Sequence, residues 1–87
     1  MKPSSSADRL LCFEISRDYQ ELDVHFDERG LDELIDYLNK LRQRRGSPQH
    51  DHLMTEAWSG TELTDEPQTA TGSIIHKVNL RLWPTGG

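Results

Sequence analysis

The sequence predicts a small α+β domain: an antiparallel four-stranded sheet with one helix packed on one face, in the order ββαββ. Three observations lead there. Between residues 27 and 45, Leu31, Leu34, Ile35, Leu38 and Leu41 recur at helical spacing. Two short stretches before that segment and a long one near the end alternate apolar and polar side chains, the period of half-buried strands. The chain has 87 residues, 33% hydrophobic and 29% charged, which suits one domain with one modest core. With a single helix, one face of the sheet is covered and the other is open, as antiparallel strands allow.

Residues 1–9 read as a flexible, serine-rich lead-in to a domain spanning 10–84. The first strand runs from Leu10 to Ser16, with Leu11, Phe13 and Ile15 facing one way and Leu10, Cys12 and Glu14 the other. A polar turn at residues 17–20 leads to the second strand, Glu21 to Phe26, with Leu22, Val24 and Phe26 inward. The pair forms a hairpin whose register is open, because the turn lacks Asn-Gly chemistry.

The helix follows almost at once. Asp27 caps it and Glu28 lies near the positive end of its dipole. Lys40, Arg42, Arg44 and Arg45 lie near the negative end, and Gly46 and Pro48 stop it. Burying its five aliphatic side chains contributes about 8–15 kcal/mol before conformational entropy is subtracted.

Residues 46–51 form a loop, and His52 to Trp58 is the third strand. Leu53, Thr55 and Ala57 share one of its faces; His52, Met54, Glu56 and Trp58 share the other. Ser59-Gly60 turns or bulges the chain, and the polar stretch 64–72, with Pro67 and Gly72, is a surface loop. Ser73 to Trp83 is the longest strand, with Ile74, His76, Val78, Leu80 and Leu82 on one face. Pro84 ends it, and residues 85–87 fray.

Charge narrows the function classes. Net charge is −5, and Glu14 to Asp36 holds nine acids against Arg17 and Arg29, a local balance of −7. Such a field repels nucleic acid and favours a basic partner. The basic run at the helix end is explained by the helix dipole. No stretch of eighteen apolar residues is present, so no spanning helix is expected. The start of the chain lacks the apolar core of a secretory signal, and the single Cys12 has no internal disulfide partner, so the cytoplasm is the expected compartment.

Among reactive residue types, His50-Asp51-His52 is the tightest cluster. In an extended segment His50 and His52 point the same way about 6.5–7 Å apart, spacing that suits two ligands of one metal, with His76 or Glu56 as a third. A second well-spaced ligand pair is missing, so the expectation is no metal and no cofactor. Cys12 beside His25 is the only nucleophile–base pairing suggested by the strands, and a thiol in an apolar strand is ordinarily inert. Catalysis is not expected. Trp58 and Trp83 are more informative, because both fall on strand faces turned away from the helix, where large aromatics anchor interfaces.

The stretch from His50 to Leu63, HDHLMTEAWSGTEL, resembles a segment of the immunity protein 32 family of bacterial polymorphic toxin systems. The His-Asp-His-Leu run, the Trp58-Ser59-Gly60 step and Glu62-Leu63 carry the likeness. Gly30-Leu31 and Leu80-Arg81-Leu82-Trp83-Pro84 extend it over most of residues 10–84. The resemblance implies a small protein encoded beside a toxin, which binds and neutralises it without catalysis, and it brings no catalytic residues with it. An acidic surface suits a basic toxin such as a nuclease. The expected contacts are Trp58 and Trp83 as apolar anchors, with Glu56, Glu62, Asp32 and Asp36 as charge partners. The second reading is a self-assembling α+β domain that forms a homodimer through its outer sheet face.

Overall fold

In the computed structural model, residues 9–44 and 49–83 are described, with the side chains of residues 49 and 50 outside that description. Residues 1–8, 45–48 and 84–87, which take in most of the expected lead-in at 1–9, the start of the expected loop at 46–51 and the expected frayed end, lie outside the described residues. The elements are β1 (Leu11–Ile15), β2 (Leu22–Phe26), α1 (Glu28–Gln43), β3 (Gln49–Met54), a short 3-10 helix (Glu56–Trp58), β4 (Ser73–Ile74) and β5 (Lys77–Leu82).

The α+β class stands, but the single four-stranded sheet and the order ββαββ do not: five strands follow one another as ββαβββ, because the expected last strand is split into β4 and β5. The strands form a three-stranded sheet in the order β2-β1-β4 and a separate two-stranded ribbon of β3 and β5, all antiparallel. The long strand expected at 73–83 changes partner midway. Ile75 still donates its N–H to Phe13 (2.8 Å), whereas the carbonyl of the next residue, His76, accepts from Thr55 (3.0 Å). The cause is Thr64. Its N–H donates to the Leu11 carbonyl (2.7 Å) and its hydroxyl accepts from the Leu11 N–H (3.1 Å). Those backbone groups of β1 are thereby taken, so β5 pairs with β3 instead.

The hairpin register is Leu11↔Phe26, Phe13↔Val24 and Ile15↔Leu22. Its turn needs no Asn-Gly because Ser16 organises it: the hydroxyl donates to Asp18 (2.7 Å) and accepts from the Gln20 and Glu21 N–H groups, while Tyr19 takes the left-handed conformation (φ 61°). The helix is capped as expected, with Asp27 Oδ1 accepting from Gly30 N (2.8 Å).

Its orientation corrects the expected stripe. Gly30 and Leu41 are buried, and Leu34 and Tyr37 pack on the core of Leu11, Phe13, Leu53 and Leu63. Leu31, Ile35 and Leu38 are exposed. Gly30 sets this rotation: a Cβ there would sit 1.8 Å from the Leu10 carbonyl oxygen, so only glycine lets the helix rest on β1. Leu22, Val24 and Phe26, expected inward, are also exposed. They share a face with Leu11, Phe13 and Ile15, yet α1, which meets β2 at Phe26, leaves this row partly open.

The third strand begins at 49 and ends at Met54, not at Trp58. Thr55 N-caps the 3-10 turn, Ser59 closes it in the left-handed conformation (φ 72°), and Gly60 N donates to Thr55 O (2.8 Å). Leu53 and Thr55 are buried as expected, whereas Ala57 is exposed.

Candidate functional site

Glu14 is a fully enclosed carboxylate, 0% exposed on the face of β1 opposite the apolar core residues. Its Oε2 accepts from the N–H groups of Gln68 (3.1 Å) and Thr69 (3.5 Å), and its Oε1 meets His25 Nε2 at 2.9 Å. Burial works against ionisation here, but the hydrogen bonds from Gln68, Thr69 and His25 outweigh it and hold the carboxyl below its usual range. The loop at 64–72 is thus tied down over β1. Cys12 stands opposite His25 in the ladder, also fully buried. Burial, together with the charges of Glu14 and Asp65, pushes its thiol up to about 11, so it stays protonated at neutral pH. A carboxylate already satisfied on every side and a protonated, enclosed thiol build a structural lock.

The histidines do not converge. His52 Nδ1 contacts Asn79 Oδ1 (2.7 Å) on the outward face of the ribbon, and His76 Nδ1 contacts Thr55 Oγ1 (2.7 Å) on the inward face. The side chain of His50 lies outside the described residues. Among the described residues, no group of three or more His, Cys, Asp or Glu is placed to hold a metal ion.

Both tryptophans are exposed, Trp58 by 53% and Trp83 by 65%. They are not neighbours. Trp58 stacks on His76 (centroids 5.7 Å apart, planes within 5°), while Trp83 follows the far end of β5. Seven residues of extended chain separate His76 from Trp83, about 23 Å. Trp58 also lies off the strand on which it was expected, in the 3-10 turn, stacked on a residue of the inward row. Of the acids expected to meet a partner, Glu56, Asp32 and Asp36 are exposed, with Asp36 paired to Lys40 (3.3 Å). Glu62 is half-buried and its Oε1 accepts from Met54 N (3.0 Å), which commits it to the fold.

Two apolar surfaces that sequence reasoning placed in the core stand open. One is the β2 row Leu22, Val24 and Phe26, between 38 and 56% exposed on an edge strand. The other is the α1 row Leu31, Ile35 and Leu38. Beside Leu38 a cleft of about 410 Å³ opens between α1 and β5, floored by Leu41, Leu80 and Leu82 and rimmed by Arg42 and Arg81. A signal for the helical row was present. Leu34, Tyr37 and Leu41 already make a complete core-facing stripe, so the added Leu31, Ile35 and Leu38 widen the apolar arc beyond what one sheet can cover.

Among the described residues no helix is long and apolar enough to cross a membrane. The family model described as Immunity protein 32 matches residues 21–78, two thirds of the chain. No curated protein and no solved structure matches it.

Proposed function

The chain belongs to the immunity protein 32 family, and on that premise we propose that it binds and neutralises a cognate toxin by steric and electrostatic occlusion, with no catalytic step of its own. The observation that carries the proposal to a surface is the β2 row. Leu22, Val24 and Phe26 are exposed on a strand whose outer edge has no neighbour among the described residues, and Glu21, Asp23 and His25 alternate with them. An edge strand offers a partner both backbone hydrogen bonds and a row of apolar side chains. The acids between them suit a basic partner such as a nuclease domain, speeding encounter and competing for its phosphate-binding groove.

Asp32 and Asp36 on α1, and Trp58 with Glu56 at the end of the ribbon, are further contacts for a toxin large enough to reach them. Trp58 and Trp83 are too far apart to form one compact anchor, so on this reading they act at opposite rims.

Co-expression with the neighbouring toxin tests the reading. The wild-type chain is expected to protect cells and co-elute with the toxin, and Val24→Asp with Phe26→Asp is expected to abolish both while keeping its circular dichroism. Unprotected cells with the wild-type chain would sink the function. A folded double variant that still protects would sink the surface.

A further inference from the structure

We infer that α1 pairs antiparallel with α1 of a second copy of this chain, giving a two-fold dimer through Leu31, Ile35, Leu38 and Arg42. This surface is distinct from β2 and does not depend on the toxin reading.

The first observation is exposure. Leu31, Ile35 and Leu38 are 38, 46 and 48% exposed on a helix whose adjoining stripe, Gly30, Leu34, Tyr37 and Leu41, is already packed. The second is spacing. Leu31, Ile35, Leu38 and Arg42 recur at i, i+4, i+7 and i+11, and at 3.6 residues per turn they fall within an arc of about 60°. That is the seam of a two-helix coiled coil, narrower than a core-facing stripe.

The third is charge, which picks a second copy and an antiparallel register. Along the rim of the seam α1 carries Glu28 and Asp32 in its first half and Arg42 in its last turn; further round, Arg29 lies near Asp36 and Lys40, which pair with each other (3.3 Å). A parallel pair would set acid against acid and base against base. An antiparallel pair crossing at Ile35 sets Arg42 level with the partner's Glu28, and the two-fold axis makes that contact twice. Glu28 borders the seam on its solvent side, and Arg42 forms no salt bridge among the described residues. In the same register Ile35 meets the partner's Ile35, and Leu38 stands beside the partner's Leu31. The cleft between α1 and β5 opens at that level, with Leu41, Leu80 and Leu82 as its floor, and receives the partner's Leu31.

The helix spans only four turns, so the interface is small and the dimer dissociates in the micromolar range. Sedimentation equilibrium on the full chain from about 1 μM to 1 mM is the test. The wild-type chain is expected to approach twice its 10.0 kDa mass as concentration rises. Ile35→Glu is expected to raise the dissociation constant at least about 100-fold with unchanged circular dichroism, since two buried isoleucines are replaced by facing charges. Glu28→Arg and Arg42→Glu are each expected to weaken the dimer about tenfold, and the double reversal to restore it. Val24→Asp on β2 is expected to leave the mass unchanged.

A monomer at every concentration overturns the inference, as does a dimer indifferent to Ile35→Glu. A double reversal that restores nothing overturns the antiparallel register.

Discussion

The two faces of the β1–β2 hairpin invert the usual rule of apolar inside and polar outside. On one face Glu14 is completely enclosed; on the other Leu22, Val24 and Phe26 stand in solvent. Both come from alternating strands, and neither outcome follows from side-chain polarity. The difference lies in what covers each face. The 64–72 loop crosses the Glu14 face and is fastened by the carboxylate itself, through the N–H groups of Gln68 and Thr69. On the opposite face Phe13 and Leu11 are enclosed with Leu53 and Leu63, while α1 sets Gly30 against Leu10 and Phe26 at one end of the hairpin and leaves the row Leu22, Val24 and Phe26 partly open. A buried carboxylate is tolerated where hydrogen bonds replace its water, and an apolar row stays exposed where no element closes over it.

The strongest way to break this contrast is Gly30→Ala. The new methyl group overlaps the Leu10 carbonyl, so α1 must lift from β1 and uncover the apolar side as well. The expected loss is about 3–5 kcal/mol in urea denaturation, enough to leave a domain of this size largely unfolded. An unchanged midpoint would mean that the helix does not rest where the geometry puts it.

Next comes Glu14→Leu, which fills the space but leaves the N–H groups of Gln68 and Thr69 and the His25 ring without an acceptor. The expected cost is about 3 kcal/mol, together with fast hydrogen exchange at Gln68 and Thr69. Protection retained at those two amides would contradict the lock.

Acid sharpens the same point more gently. The folded pKa of Glu14 lies below its ordinary 4.5, so its ionised form contributes stability that is fully present above that value. The contribution falls away as pH drops through the lowered folded value. Stability measured from pH 6 downwards is therefore expected to decline below about pH 4.5, and Glu14→Gln is expected to flatten that slope. Exposed Asp18, lowered mainly by its bond from Ser16, is unaffected by that substitution.

The smallest effect belongs to the open face. Val24→Thr is expected to change stability by no more than about 0.5 kcal/mol, whereas Phe13→Ala, its partner across the ladder, is expected to cost about 3–5 kcal/mol. Equal losses from the two would mean that β2 is covered after all.

Much of this was legible from local pattern. The Asp27 cap, the helix between 28 and 43, the hairpin strands and the alternation of Val78, Leu80 and Leu82 with exposed neighbours all follow from spacing within a few residues. The family resemblance was legible as well, from His50 to Leu63 and the flanking pieces, and the matched span of 21–78 includes that core. The interface candidates were less so. Trp58 and Trp83 share no neighbourhood, Glu62 is turned to Met54, and the exposed rows on β2 and α1 were read as core. A strand pattern says which side chains share a face but not whether that face is covered. A helical pattern says how wide the apolar arc is but not which part of it meets the sheet.

Sequence alone determined the α+β class, the hairpin followed by one helix, the acidic stretch between Glu14 and Asp36, and membership of a toxin-immunity family, because each rests on local periodicity, composition or a linear motif. Tertiary structure decided the break into two sheets, the rotation of α1 about Gly30 and the enclosure of Glu14. Those depend on contacts between residues far apart in the chain: Leu11 with Thr64, Gly30 with Leu10 across the hairpin, Glu14 with Gln68. A backbone N–H donates once, so the Leu11 N–H bonded to the Thr64 hydroxyl is not open to β5.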